Sequence, residues 1–231
     1  MLFISPPFGN WVSLEKATSI RGSFTLEPRP GLVFQILKTL RYSWVHGGWL
    51  NRIGLRNKGL HWALQRYGTH EILSIAIMAP NEVPLIQKLL PRNQSIELNI
   101  SCPNVDHVVS KGLSEFVNPD REWCIVKLSP LAKPGDVDAL HTAGFRQFHC
   151  CNTLRTPDGA LSGPSLIPYT SALVRYIHAR YGNDSTIIAG VLEILNGHPK
   201  STFSKCVGRE GNVQADSSIR VGNRNLNVGT G

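Results

Sequence analysis

Short apolar runs recur along the chain, and each is followed by a segment with helical spacing. The runs are apolar at nearly every position, which is typical of parallel strands covered on both faces. Half-exposed strands would instead alternate between apolar and polar residues. The runs therefore predict consecutive strands of a parallel sheet. They cover residues 72–78, 96–100, 124–128, 147–151 and 186–189.

Amphipathic segments separate these strands. Val83 and Ile86 can share one helix face, as can Val137 and Leu140 in a later interval. A third helix is predicted over residues 169–181. Repeated βα units of this length favour a closed (β/α)8 barrel of the TIM type over an open doubly wound sheet, although periodicity alone does not separate the two.

The apolar pattern stops near Pro199. Residues 207–212 and 222–225 are polar and rich in glycine and asparagine, so we expect weak or irregular structure there. We therefore predict a barrel domain over residues 1–198 and an atypical C-terminal tail over residues 199–231.

Composition narrows the classes of function. The chain has 24 Lys and Arg residues against 16 Asp and Glu, a formal net charge of +8, which suits nucleic acid, an anionic membrane or a small anionic substrate. The basic residues are dispersed rather than clustered with aromatic residues, which argues against nucleic acid. No segment resembles a secretion signal or reaches the roughly 18 apolar residues of a membrane span, so we expect a cytoplasmic protein.

Cysteine and histidine usage argues against a metal site. The five cysteines include no C-x-x-C pair, which favours a reduced, intracellular protein. The eight histidines, His149 among them, show no metal-ligand spacing with a carboxylate. We therefore predict that they are solvated or lie on helix surfaces.

Candidate chemistry is concentrated at the end of the second predicted strand, where Asn99, Cys102 and Asn104 follow in quick succession. Catalytic groups of parallel barrels gather at the carboxyl ends of strands. Two asparagines beside a thiol suit a small planar ligand with carbonyl and N–H groups. A lone cysteine in a strand is more often a buried core residue.

The octet Glu-Leu-Asn-Ile-Ser-Cys-Pro-Asn at residues 97–104 resembles the signature of the dihydroorotate dehydrogenase family. It is similar to the class 1 branch, which uses cysteine where other members use serine. Further segments resemble other family motifs in the same order over about residues 20–190, which makes the match more specific. These segments are residues 25–31, 51–59, 126–130, 152–153 and 159–164.

The resemblance implies FMN-dependent oxidation of dihydroorotate to orotate in pyrimidine biosynthesis. Cys102 is then the base that removes the proton from C5 while hydride leaves C6 for flavin N5. The small-molecule substrate is held by asparagine side chains and nearby backbone. The implied substrate-binding residues are Asn51, Ile53, Gly54, Leu55, Asn99, Asn104, Asn152 and Thr153.

The resemblance also implies a set of FMN contacts. Lys127 lies against the flavin near N1, where a cation stabilises the anionic reduced form. A lysine inside the apolar run 124–128 also needs a partner when it is buried. The electron acceptor is left open among fumarate, NAD through a partner subunit, and quinone, and a homodimer is compatible with the resemblance. The implied FMN-binding residues are Ser23, Asn99, Lys127, Ser162, Gly163 and Gly190.

Three departures keep alternatives open. Gly22 stands where the family often has a lysine that touches substrate and flavin, so a flavoprotein acting on another dihydropyrimidine is a second interpretation. Val191 and Leu192 replace glycines that surround the FMN phosphate in the family, so a truncated, catalytically silent barrel is a third. Because only about twenty residues precede the first motif, we expect a barrel that is incomplete at both ends, with a first strand that is abbreviated or absent.

Overall fold

The computed structural model describes residues 1–100 and 112–189, together with the backbone of three short later strands. The strands are β1 (Leu2–Ile4), β2 (Ala17–Phe24), β3 (Arg41–Ser43), β4 (Gly48–Asn51), β5 (Ile72–Ala76), β6 (Ile96–Asn99), β7 (Cys124–Lys127), β8 (Gln147–Cys150), β9 (Leu154–Thr156), β10 (Gly159–Ser162), β11 (Thr186–Ala189), β12 (Ile194–Leu195), β13 (His198–Pro199) and β14 (Phe203–Val207). The α-helices are α1 (Leu32–Thr39), α2 (Leu60–Arg66), α3 (Val83–Leu89), α4 (Pro134–Thr142) and α5 (Ile167–Tyr181).

Eight of these strands form a closed barrel in the order β1-β14-β11-β8-β7-β6-β5-β2. The pairs among β1, β2, β5, β6, β7, β8 and β11 are parallel. Strand β14 pairs antiparallel with both β1 and β11. The predicted TIM-type α/β barrel is thus confirmed as a partial one, in which an antiparallel strand completes the wall. The first strand is abbreviated to three residues, as expected.

The C-terminal part differs from the expectation at one place. Irregular structure was predicted from about Pro199, and this is wrong for Phe203–Val207, which form β14. Strands β1 and β11 would each leave a row of unpaired backbone groups, and a strand inserted between them satisfies both rows. The proposed boundary at residue 198 stays a prediction, because most of the later chain lies outside the described residues.

The barrel interior changes character along the strands. A lower layer of fully buried apolar side chains comes from five different strands; it consists of Phe3, Ile20, Ile72, Ile125 and Ile188. Side chains two residues apart point to the same face of a strand. Two residues beyond Ile72 and Ile125 stand Ser74 and Lys127, which are buried as well. The interior therefore becomes polar toward the carboxyl ends of the strands.

A second, antiparallel sheet has the order β3-β4-β10-β9. Its strands belong to the two long connections that follow β2 and β8, so it is attached to the carboxyl ends of the barrel strands. Parallel barrels carry their functional loops at this end. Among the described helices, none combines the length and the apolar character needed to cross a bilayer.

Candidate active site

A buried polar network lies directly above the lower layer. We call Ser74, Glu97, Lys127 and His149 the upper layer. Glu97 Oε2 is 2.6 Å from His149 Nδ1, and Glu97 Oε1 accepts a hydrogen bond from Ser74 Oγ at 2.7 Å. Lys127 Nζ is 3.8 Å from Glu97 Oε1. Glu97 is fully buried and His149 is 3% exposed, so each charge at this depth requires the partner it has.

Electrostatics fix the charge state of the upper layer. Burial alone would raise the pKa of the Glu97 carboxyl, but the Lys127 cation and hydrogen bonds from His149 and Ser74 outweigh it and lower the pKa to about 2. Burial and the Lys127 cation lower the pKa of His149 from its ordinary 6.5. His149 is therefore neutral at pH 7, and we assign its Nδ1 proton to the bond with the Glu97 carboxylate.

Four of the predicted site residues meet at the strand ends. Asn99, at the end of β6, donates through Nδ2 to Ser23 Oγ at 3.2 Å and accepts from Asn152 Nδ2 at 2.9 Å. Ser23 Oγ is also 2.8 Å from Ser74 Oγ, which connects these strand-end residues to the upper layer. Lys127 is the register partner of Asn99 on β7. The barrel therefore brings Ser23, Asn99, Lys127 and Asn152 together at the carboxyl ends of its strands, and their roles in binding stay predictions.

The segment after β4 is held in place by an asparagine side chain. Asn57 Oδ1 accepts from the Gly59 backbone N–H at 2.7 Å and from the Thr25 backbone N–H at 3.2 Å. Its Nδ2 donates to Leu55 O at 2.7 Å. These bonds tie the segment that contains the predicted substrate contacts to the end of β2. Sequence reasoning named the motif that contains Asn57 but gave this residue no role.

The predicted contacts in this segment have local partners. Asn51 Oδ1 accepts from the Ile53 backbone N–H at 3.3 Å, and Asn51 Nδ2 donates to Ala160 O at 3.4 Å. Gly54 and Leu55 both adopt positive φ angles, of 68° and 55°. A left-handed turn of two residues therefore shapes the backbone that the resemblance assigns to substrate binding.

The remaining predicted residues have structural contacts or lie outside the described part. The Thr153 backbone N–H donates to Asn152 Oδ1 at 2.9 Å. Ser162 Oγ donates to Trp49 O at 3.3 Å. Gly163 has φ 128°, and a Cβ there would stand 3.2 Å from Gly48 Cα, so it permits close packing of β10 on β4. FMN contacts of Ser162 and Gly163 stay predictions. Cys102, Asn104 and Gly190 lie outside the described residues.

The cysteines of the described ranges are poor candidates for a base. Burial raises the pKa of Cys124 to about 12. Burial also raises the pKa values of Cys150 and Cys151. A thiol must lose its proton before it can act as a base, so these three cysteines are unsuited to that role near neutral pH.

Comparisons with known proteins agree on one family, although no protein-family model matches the chain. The chain is 30% identical over 194 positions to the catalytic subunit of dihydroorotate dehydrogenase B (NAD(+)) from Streptococcus pneumoniae, covering 66% of this chain and 60% of that protein. The corresponding subunit of Endomicrobium trichonymphae is 28% identical over 236 positions, which cover 86% of this chain and 74% of that protein. A putative dihydroorotate dehydrogenase A (fumarate) from Pediococcus pentosaceus is 35% identical over 95 positions, which cover 36% of this chain and 30% of that protein.

The chain is similar to the catalytic subunits of bacterial dihydroorotate dehydrogenases over most of its length. It spans about 60% of the length of the Streptococcus relative. The family motifs therefore lie on the barrel that they predicted, with their polar residues at the carboxyl ends of consecutive strands.

Sequence reasoning missed His149, a residue of the buried network. The prediction that the histidines are solvated or on helix surfaces is wrong for His149, which lies on β8 inside the barrel. His149 can be buried because the Glu97 carboxylate supplies a buried hydrogen-bond partner. One signal was available: His149 and Lys127 are polar residues inside two successive predicted strands, and the structure makes them register partners.

Proposed function

We propose that this chain is a flavoprotein that oxidises dihydroorotate to orotate. The observation that carries the proposal is the amide pair Asn99 and Asn152, which meet at 2.9 Å at the carboxyl ends of β6 and β8. Strand β7 lies between these two strands, and its Lys127 is the register partner of Asn99. Amide side chains at fixed positions can match the alternating carbonyl and N–H groups of a pyrimidine ring. Similarity to dihydroorotate dehydrogenase catalytic subunits supports this choice of ring over other planar ligands.

The described residues fit the ring part of FMN. Lys127 is buried, and within the described residues its acidic neighbour, Glu97, is 3.8 Å away rather than at hydrogen-bonding distance. The ammonium group therefore keeps N–H donors for a ligand. Ser23 and Asn99 supply further polar atoms at the same level. Gly190, proposed for the phosphate side, lies outside the described residues.

Each residue has a defined task in the proposed reaction. FMN, when bound, accepts the hydride that leaves C6 of the substrate. Asn51, Asn99 and Asn152 orient the pyrimidine ring, because hydride transfer depends on the geometry of donor and acceptor. Cys102, as a thiolate, takes the proton from C5. Lys127 lowers the free energy of negative charge that develops beside it, and Glu97 forms an ion pair with it at 3.8 Å.

Anaerobic bleaching tests the proposal. Dihydroorotate added to the FMN-loaded chain should bleach the flavin absorbance, whereas dihydrouracil and dihydrothymine should not. Bleaching by one of the latter two alone would favour the second interpretation, motivated by Gly22. Cys102→Ser should slow bleaching without releasing FMN, and Cys124→Ser serves as the matched control. Full-rate bleaching in Cys102→Ser would remove Cys102 from the role of base.

One structural observation favours a catalytically silent relative as the second candidate. Phosphate sites of TIM barrels are frequently formed by the loops after the last two strands. Here β14 is antiparallel to its neighbours, so its amino end, rather than its carboxyl end, lies at the candidate site. If the silent alternative holds, the purified chain stays colourless after incubation with FMN and gel filtration.

A further inference from the structure

Helix α1 is largely apolar, yet none of its residues is buried. Val33, Phe34 and Leu37 are 69%, 63% and 81% exposed. At about 100° per residue they lie within roughly a third of the helix circumference, so they form one face turned toward solvent. Short helices depend on burial of an apolar face for their stability in water. This apolar face is therefore exposed to solvent, although its composition favours burial.

The hairpin that follows α1 extends the exposed apolar surface. Trp44 and Val45, in the turn between β3 and β4, are 88% and 92% exposed. Together with Leu40 and the three helix residues they make up six of the sixteen large apolar side chains that are exposed in the described part of the chain. Such concentration within 13 consecutive residues marks an interaction surface rather than scattered surface residues. We call Val33, Phe34, Leu37, Leu40, Trp44 and Val45 the docking face.

Positive charge accumulates along the chain segment that contains the docking face. Residues 28–58 contain six basic residues and no Asp or Glu; the basic residues are Arg29, Lys38, Arg41, Arg52, Arg56 and Lys58. Within the described residues none of the six has a carboxylate within ion-pair distance, whereas Arg21 and Arg146 elsewhere pair with Glu71 and Asp184.

The guanidinium groups near the docking face are bound to backbone carbonyls instead. Arg52 donates to Pro157 O and Asp158 O, and Arg29 donates to Gly54 O. The nearby carboxylate of Asp158 is 3.3 Å from His46 Nε2. Carbonyl partners leave the positive charge of the guanidinium intact, so this surface attracts anions.

We propose that the docking face binds an anionic lipid surface. An apolar helix face flanked by cations is the pattern of segments that lie in the interface of a bilayer. The ammonium group of Lys38 lies 5.6 Å from the Phe34 ring centroid, from where its long side chain can reach lipid headgroups. A second copy of the chain is disfavoured as occupant, because two such basic surfaces repel each other. The proposal does not depend on the proposed enzymatic activity.

Lipid binding at this face would lie beside the candidate site. The Arg52 backbone N–H donates to Thr39 Oγ1 at 3.0 Å, which ties the end of α1 to the segment that contains Ile53, Gly54 and Leu55. The docking face and the predicted substrate contacts therefore belong to one connected surface element.

Vesicle flotation of the intact chain tests the proposal. We expect the chain to float with vesicles of phosphatidylcholine and phosphatidylglycerol, to do so less at high salt, and not to float with phosphatidylcholine alone. Phe34→Gln with Leu37→Gln should abolish flotation. Leu85→Gln with Leu89→Gln, which changes two exposed leucines of α3, is the matched control and should float like the unmodified chain.

A charge variant separates the electrostatic contribution. Lys38→Glu should lower the vesicle partition coefficient by about fivefold or more, whereas Lys88→Glu on α3 should leave it unchanged. Absence of flotation in the intact chain, or equal flotation with neutral vesicles, overturns the proposal. The proposal is also overturned if the chain forms dimers in the absence of lipid and the double variant Phe34→Gln with Leu37→Gln is monomeric, because the face is then a protein interface.

Discussion

Strands β5 and β7 each supply a side chain to the lower layer and, two residues further on, one to the upper layer of the barrel interior, yet the two layers differ in chemistry. Ile72 and Ile125 in the lower layer are fully buried among apolar side chains. Ser74 and Lys127, the next inward positions, belong to the network around Glu97. The lower layer gains from removal of apolar surface from water. The upper layer places charges at the same depth, which costs free energy unless they are paired. The comparison shows that the apolar contacts and the buried charges occupy separate levels of one barrel.

The largest effect is expected from breaking the ion pair of the upper layer. Glu97→Gln leaves Lys127 buried without its carboxylate, so the free energy of unfolding should fall by about 3–5 kcal/mol. In Glu97→Gln with Lys127→Met both charges are gone, and most of that loss should be recovered. Urea unfolding of both single variants and the double variant gives the coupling energy. Additive losses would contradict the assigned pair.

A cavity in the lower layer should have the next largest effect. Ile72→Ala removes apolar contacts at a fully buried position and should lower the free energy of unfolding by about 2–4 kcal/mol. Ile167→Ala, at a position that is 44% exposed, is the control and should change it by about 0.5 kcal/mol or less. Ligand affinity of the folded Ile72→Ala protein should stay unchanged. A selective loss of affinity would mean that the two layers are not separable.

Acid should weaken the upper layer through His149. Because burial lowers the pKa of His149 in the folded chain, the unfolded chain binds this proton first, and stability falls as pH drops below about 6.5. The slope from one such group is at most about 1.4 kcal/mol per pH unit. Glu97 adds a loss at lower pH, since its carboxylate must be protonated between its ordinary pKa and about 2. Both groups act in the same direction.

Unfolding measured between about pH 7.5 and pH 5.5 isolates the histidine. His149→Gln should flatten the pH dependence over this range, while the exposed His61→Gln should not. An unchanged slope in His149→Gln would show that folding does not lower the pKa of this ring.

The sequence predicted the barrel strands far better than the polar network within them. Strand β11 has the predicted bounds, and β5 to β8 end one or two residues before the predicted ends, because runs buried on both faces are apolar at almost every position. That same property hides Glu97 and His149. In a closed barrel one face of each strand points inward, but a run without alternation does not say which polar residue shares that face.

Short and half-exposed elements also escaped prediction. Strands β3 and β9 have three residues each and belong to the small sheet β3-β4-β10-β9. A strand this short contains too few residues for an alternating pattern to be recognised in the sequence. Strand β14 was missed because its formation depends on the two open edges beside it rather than on local composition. Helix α1 buries none of its residues, so its apolar residues do not follow from packing against the core.

Binding of orotate tests the central claim, that the strand-end residues and upper layer form a pyrimidine site, most directly. We predict that titration of orotate into the FMN-loaded chain gives saturable binding. Asn99→Ala should weaken it by about tenfold or more, because a buried polar group of the ligand loses its partner. Asn118→Ala, in an exposed turn, should leave the dissociation constant unchanged. An orotate affinity that is the same in Asn99→Ala and Asn118→Ala would contradict the account.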